Sequence, residues 1–297
     1  LFGNLHRKYS HTAIQMPFHL SIVNYDCNNL GGTVSITDYF DPSGTVIYAN
    51  PFTSTANLSG ITVNGTAAVT GGRLVLTPSS ASNVGSVVIP NSGVALGTNN
   101  SFKMRFKLTA DQVLDVHGTG GGDGMAYSFA NDVANNGNHN GSGTKLRLIF
   151  DAADNTSNLR GIYLVYGNTG GVSATAVTPG AASTVHYVNN IAAWKTKTDV
   201  DVEFVIDENG KASLSLDGVS IFSDIQMPTT YMNENTSTWK HAFSALTGGD
   251  ALRHAISNLS ISTSACQFAL VPTTTTPSTW TENLVFTGVQ PGLYDVW

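Results

Sequence analysis

Two loops far apart in this 297-residue chain carry residue types suited to chemistry on hydroxyl groups. One is Gly120-Gly121-Gly122-Asp123-Gly124, running into Met125-Ala126-Tyr127-Ser128-Phe129. The other is Thr247-Gly248-Gly249-Asp250, held between Phe243-Ser244-Ala245-Leu246 and the apolar run Ala255 to Ile261. Each is a glycine turn with an aspartate at the end of an apolar strand. Glycine permits positive φ and close backbone approach. Two such turns at one sheet edge would make a shallow cradle of carboxylates and backbone amides, which suits a neutral polyhydroxyl ligand better than a phosphate. The competing reading is that Asp123 and Asp250 cap their turns, as Asp beside Gly commonly does.

A second group of carboxylates, Asp199, Asp201 and Glu203, alternates along one segment, so on a strand all three point to one face. A retaining glycosidase needs two carboxyls about 5–5.5 Å apart, and this row could supply them. Val200, Val202, Phe204 and Ile206 form the opposite, apolar side, however, and a solvated outer face is the simpler account. The eight histidines are scattered without metalloprotease spacing, and no Gly-x-Ser-x-Gly elbow occurs. Gly118 to Gly124 lacks the following Lys-Ser/Thr of a nucleotide loop. A non-enzymatic protein is therefore expected. His117, His139 and His254 lie near the glycine loops and are read as surface or structural residues. Trp194, Tyr163, Tyr166 and Tyr231 are rings on which a sugar could stack, although core packing explains most of them equally well.

The elements that must position these loops are strands. Helical periodicity is nearly absent, and short apolar runs punctuated by Gly, Asn and Pro recur: Gly72 to Thr77, Gly85 to Ile89, Ser101 to Leu108, Gly124 to Phe129, Lys145 to Phe150, Gly161 to Tyr166, Val200 to Ile206 and Ala212 to Leu216. Many short strands at this spacing indicate a sandwich or barrel. Asp207-Glu208-Asn209-Gly210 and Leu216-Asp217-Gly218 read as hairpin turns. Charged residues make up 11% of the chain against a usual value of about 25%, with Ser, Thr, Asn and Gly supplying the polarity. That composition reads as extracellular β structure. The net charge of −6, without a Lys/Arg cluster, gives no support to nucleic-acid binding, and no apolar run is long enough to span a membrane.

Composition also divides the chain. Residues 1–50 read as a strand-rich end of a preceding module, 51–262 as the body, 263–279 as a Pro/Thr-rich linker, and 280–297 as the start or a fragment of an Ig-like or fibronectin-like module. The start at Leu1 and stop at Trp297 suggest a processed protein or a fragment. Cys27 and Cys266 flank the body; a disulfide between them and two buried free thiols are both open readings. Asn-x-Ser/Thr sequons occur at Asn57, Asn64, Asn99, Asn140, Asn155, Asn235 and Asn258.

The order of motifs within the body resembles the L-type (legume-like) lectin family. Leu58-Ser59-Gly60-Ile61-Thr62-Val63-Asn64-Gly65, Gly72-Arg73-Leu74-Val75-Leu76-Thr77 and Gly85-Ser86-Val87 are similar to its opening strands. Gly122-Asp123-Gly124-Met125-Ala126-Tyr127 is similar to its aspartate loop. Phe243 to Gly249 followed by Ile256 to Ile261 resembles its last loop and closing strand. The resemblance implies an all-β, concanavalin A-like jelly-roll sandwich that binds sugars at loops on one edge of its concave sheet; the partial Ig-like or fibronectin-like strand segments at both ends are read from the local pattern outside it. It implies carbohydrate contacts at Asp123, Gly124, Asn155, Thr247, Gly248, Gly249 and Asp250, and a loosely aligned backbone contribution from Asn136 to Gly143. In that family the segment matching Phe150 to Asn158 binds calcium and a transition metal. Here Asp151, Asp154, Asn155 and Asn158 offer hard oxygen ligands of the kind calcium takes. Ile149 and the Arg160 region replace the other metal's ligands, so calcium alone is expected at most. The implied function is an extracellular carbohydrate-binding or adhesion module of a multidomain, secreted or cell-surface protein, with glycans or glycoproteins as partners. The rival is a structural module of a surface filament, partnered by other copies or modules, that keeps the fold but not the sugar.

Overall fold

The computed structural model describes residues 6–7, 19–26, 31–37, 46–91, 93, 96–118, 121–135, 138–153, 159–167, 178–263, 270–272, 285–289 and 294–296. It divides into two units, Val46–Ser264 and a second composed of both chain ends.

In chain order the strands are β1 (His6–Arg7), β2 (His19–Asp26), β3 (Gly31–Thr37), β4 (Val46–Asn50), β5 (Thr62–Gly65), β6 (Ala68–Thr70), β7 (Arg73–Thr77), β8 (Asn83–Ile89), β9 (Phe102–Leu114), β10 (Gly124–Ala130), β11 (Leu146–Asp151), β12 (Gly161–Tyr166), β13 (Thr184–Val188), β14 (Lys197–Ile206), β15 (Lys211–Leu216), β16 (Val219–Gln226), β17 (Lys240–Thr247), β18 (Ala251–Thr263), β19 (Leu270–Pro272), β20 (Val285–Val289) and β21 (Tyr294–Val296). Helical turns among the described residues are short, the longest covering four residues.

The larger unit is a sandwich of two antiparallel sheets. One runs β13-β12-β11-β10-β17-β8-β5, the other β16-β15-β14-β9-β18-β7-β6, with β4 added alongside β18. This is a sandwich, as the strand pattern indicates, and the jelly-roll that the lectin resemblance implies. Two kinds of sequence pattern make the two sheets. In β14 and β15 burial alternates strictly, Val200, Val202, Phe204, Ile206, Ala212, Leu214 and Leu216 facing inward, because that sheet is wet on its outer face. In β10, β11 and β12 every residue is buried. Met125, Tyr127, Phe129, Leu146, Leu148 and Phe150 enter the main core, while Ala126, Ile149, Tyr163 and Val165 form a second cluster on the opposite face with Tyr187 packed against it. The loop after β10 lies over this second face: Asn138 O accepts from Ser244 Oγ, Asn140 O from Arg147 Nη1, and Ser142 N donates to Ser128 Oγ.

β4 falls in the segment assigned by sequence to the N-terminal piece, but it pairs with β18 from Leu259 to Ser262; thirteen-residue β18 outruns β7 and leaves a free edge for it. The two chain ends are not separate pieces either. β20 pairs with β3, and β21 with both β1 and β19, since a lone two-stranded ribbon is marginal in water and three strands are not. Cys27 and Cys266 lie outside the described residues, as do residues 273–279 of the linker.

Candidate carbohydrate-binding loop edge

The two glycine–aspartate loops meet. β10 and β17 are neighbours, with Gly124 opposite Leu246, and the pairing continues past the strand ends. Asp123 N donates to Leu246 O at 3.1 Å, and Leu252 N donates to Gly122 O at 2.9 Å. The Gly122–Asp123 peptide is cis. From the third side, Ala152 N and Ala153 N both donate to Asp123 O, at 2.7 and 3.1 Å. The backbone of Asp123 is thus held by two chain segments, and that of Gly122 by a third.

Glycine is required where this weave is tightest. A Cβ on Gly124, which sits at φ +154°, would lie 2.3 Å from Phe150 O. A Cβ on Gly248 would lie 3.1 Å from Asp123 Oδ1, and one on Gly249 would lie 2.7 Å from His117 Cε1. The Asp123 carboxyl is partly buried. Desolvation pushes its pKa above the ordinary carboxylate range, opposed by a hydrogen bond from the Gly248 amide and reinforced by the charge of Asp250. A half-dry carboxylate beside a glycine backbone is a strong acceptor for ligand hydroxyls, because hydrogen bonds to a charged group strengthen as water is excluded.

The other loop residues divide by what already occupies their side chains. Thr247 is 2% exposed; its hydroxyl donates to Ser80 O at 2.7 Å and accepts from Asn83 N at 3.0 Å, fastening the β7–β8 turn. Asp250, 8% exposed, accepts through Oδ1 from the Val116 and His117 amides at 2.6 and 3.0 Å and contacts His117 Nδ1 at 3.1 Å. Its carboxylate organises the 115–118 loop, as the turn-capping reading has it. His117 itself is 64% exposed and lies over Gly249, so the rim of the cradle includes a residue that sequence reading set aside as a surface histidine. His254 is fully buried, its Nδ1 hydrogen-bonded to Thr77 Oγ1 at 2.8 Å. Trp194, Tyr163, Tyr166 and Tyr231 are all buried and not placed for stacking on a ligand.

Of the calcium set, Asp154, Asn155 and Asn158 lie outside the described residues. Asp151, 1% exposed, ends β11 beneath the cradle and accepts from Ala153 N at 3.0 Å. Among the described residues no three His, Cys, Asp or Glu side chains converge as a metal site. Lys195, which nothing in the sequence singles out, buries its ammonium here and donates to Ala152 O at 3.1 Å.

The acidic row of β14 is on the wet face, with each member matched to a cation. Asp199 pairs with Arg73 through two nitrogens, Asp201 with Lys107 at 2.7 Å and Glu203 with Arg105 at 2.5 Å. The Arg73 guanidinium holds the Asp199 carboxyl below its usual range, the reverse of what a general acid needs. A surface concavity of about 520 Å³ opens over this row, between Arg105, Lys107, Glu203 and Asn258, and away from the glycine loops. Its lining is internally neutralised charge, so the loop edge remains the better candidate.

Sheet order, the covered second face and the glycine-built edge together define a concanavalin A-like jelly-roll, the architecture of L-type lectin carbohydrate recognition domains. The solved structures it resembles are more particular. The VIP36 exoplasmic/lumenal domain in metal-free form superposes with TM-score 0.55 at 16% identity, covering 76% of this chain and 94% of that one. The Ca2+/Man3GlcNAc-bound form of the same domain gives 0.52 at 14% identity, over 76% and 91%. The potassium-bound Emp46p carbohydrate recognition domain gives 0.51 at 13% identity, over 74% and 98%. No family model matches the chain, and no curated protein matches it in sequence. The likeness is one of fold. The VIP36 domain is lumenal or exoplasmic, and among the described residues no helix is long and apolar enough to cross a membrane.

Proposed function

We propose that the Val46–Ser264 sandwich is a carbohydrate-binding module, and that it serves recognition or adhesion in a secreted or cell-surface protein. The observation that carries this is the Asp123 carboxylate, held partly exposed at the junction of two glycine loops by Leu246, Ala152, Ala153 and Gly248. In this reading Asp123 accepts from sugar hydroxyls, Gly124, Gly248 and Gly249 let the ring approach the backbone, and Asn155 completes the set. The Thr247 and Asp250 side chains shape the loop rather than touch the sugar. Neighbouring structures contain mannose-type glycans together with calcium, which makes mannose-type glycans the first ligands to test, with calcium present and absent. Low charge and abundant Ser, Thr and Asn support an extracellular setting.

A glycan array probed with the whole chain tests the proposal. Binding that Asp123→Ala abolishes, with melting little changed, is expected. The hydrogen bonds lost are charge-assisted and worth about 1.5–3 kcal/mol each, so affinity should fall at least tenfold. No binding to any glycan, with or without calcium, would favour the rival reading: a structural module that associates with other copies or modules. The occupied side chains of Thr247 and Asp250 give that rival its footing.

A further inference from the structure

His117 lies at the rim of the cradle, in the stretch that follows β9, and one acid fixes it there. Asp250 Oδ1 accepts from the Val116 amide at 2.6 Å, from the His117 amide at 3.0 Å and from His117 Nδ1 at 3.1 Å. A carboxylate oxygen only accepts, so Nδ1 carries the ring hydrogen and Nε2, in the neutral imidazole, presents a lone pair. The two amides already brace the turn; what the ring's own bond adds is the orientation and tautomer of the imidazole. The side chain is nevertheless 64% exposed, and Nε2 has no hydrogen-bond partner among the described residues.

Two consecutive glycines set this ring beside the candidate sugar-binding carboxylate. A Cβ on Gly248 would come 3.1 and 3.3 Å from the two Asp123 carboxylate oxygens, and one on Gly249 would come 2.7 Å from His117 Cε1 and 3.8 Å from His117 Nε2. The Cα atoms of such neighbours are about 3.8 Å apart. The Asp123 carboxylate and the His117 ring therefore lie against adjacent residues of one loop, with no side chain from either glycine between them.

We propose that His117 is a second sugar-contacting side chain of the cradle: Nε2 accepts from one ligand hydroxyl while Asp123 accepts from another, so the site selects a neutral hexose that presents two hydroxyl donors along one edge of its ring. An acidic sugar is disfavoured, because its charge would meet the Asp123 carboxylate and the Nε2 lone pair. Asp250 is the positioning residue behind this contact. The inference rests on the carbohydrate-binding reading and adds to it a residue and a hydroxyl pattern.

The test is binding of methyl α-mannoside and its monodeoxy analogues to the whole chain in calcium; should the glycan array select another hexose, its methyl glycoside and deoxy series are used instead. His117→Ala should weaken binding about two- to tenfold, the range for one neutral hydrogen bond, with Tm moving by no more than about 2 °C because the side chain is exposed. His117→Gln, whose amide oxygen reaches the Nε2 position, should recover part of the loss. One deoxy analogue should bind wild type and His117→Ala equally, since the hydroxyl it lacks is the one that Nε2 accepts. Equal weakening of every analogue would show a merely structural histidine and overturn the proposal. Ring-nitrogen NMR of the free protein at pH 8 should find the hydrogen on Nδ1, and the opposite tautomer also overturns it. His117→Ala that binds like wild type, while Asp123→Ala does not bind, overturns this inference and leaves the carbohydrate reading standing; a wild type that binds no glycan overturns both.

Discussion

Acid should unfold the sandwich through two core histidines, and the size of the effect follows from their burial. His254 is fully enclosed, with Nδ1 bonded to Thr77 Oγ1. His241 stacks on Phe129 at 4.5 Å and bonds to the Tyr127 hydroxyl through Nδ1 at 2.8 Å. Burial lowers both from 6.5 to about 3, helped in His254 by the charge of His139. A histidine whose folded pKa is depressed stabilises the fold fully above the unfolded value, and that contribution is lost as pH falls toward the folded value. Between pH 7 and 5 the unfolded chain takes up about 0.7 proton per histidine that the folded core refuses. The loss is about 2 kcal/mol for each and roughly 4 for the pair, against a typical domain stability of about 5–15 kcal/mol. This figure is insensitive to the folded values as long as both stay below about 4. His139, lowered by burial to about 4, adds in the same direction. Urea denaturation followed by tryptophan fluorescence at pH 7, 6 and 5 measures the slope. His254→Gln should remove about half of it. A profile flat to within about 1 kcal/mol over this range would refute the reasoning, because the two histidines would then be charged within the fold or exchanging with water.

Two further substitutions separate the loop's framework from its binding surface. Gly248→Ala places a methyl 3.1 Å from Asp123 Oδ1; it should weaken glycan binding about tenfold or more while Tm changes little, as isothermal titration and melting together would show. Asp250→Ala removes the acceptor for the Val116 and His117 amides; it should cost about 1–3 kcal/mol and speed hydrogen exchange at those two amides, and unchanged exchange would show that Asp250 does not hold the loop.

Local sequence carried the strands well where burial is one-sided. Val200 to Ile206 and Ala212 to Leu216 alternate because one face is wet, and both strands form as read. Asp207-Glu208-Asn209-Gly210 also turns as read: Asp207 Oδ1 accepts from the Asn209 and Lys211 amides, with Gly210 at φ +71°. The continuous apolar runs of β10, β11 and β12 identify strands too, but not what covers their second face, since a buried face looks the same whether a sheet or a loop lies over it.

The glycine–aspartate loops were legible because glycine at a strand end reports a local backbone need, and the motif order implied their common edge. Their side chains' tasks were not legible. Asp123 and Asp250 look alike in sequence; one turns its carboxylate to Gly248 at the cradle, while the other spends Oδ1 on a loop more than a hundred residues away. The acidic row on β14 suited a glycosidase until Arg73, Lys107 and Arg105 arrived from other strands to neutralise it. Lys195 carries no local signal, because its bond to Ala152 O joins segments far apart in the chain. Strand type, turn chemistry and the candidate loops are short-range properties written in adjacent residues. Charge balance, and the choice of which carboxylate meets solvent, depend on segments distant in the chain and were decided only when the sheets closed.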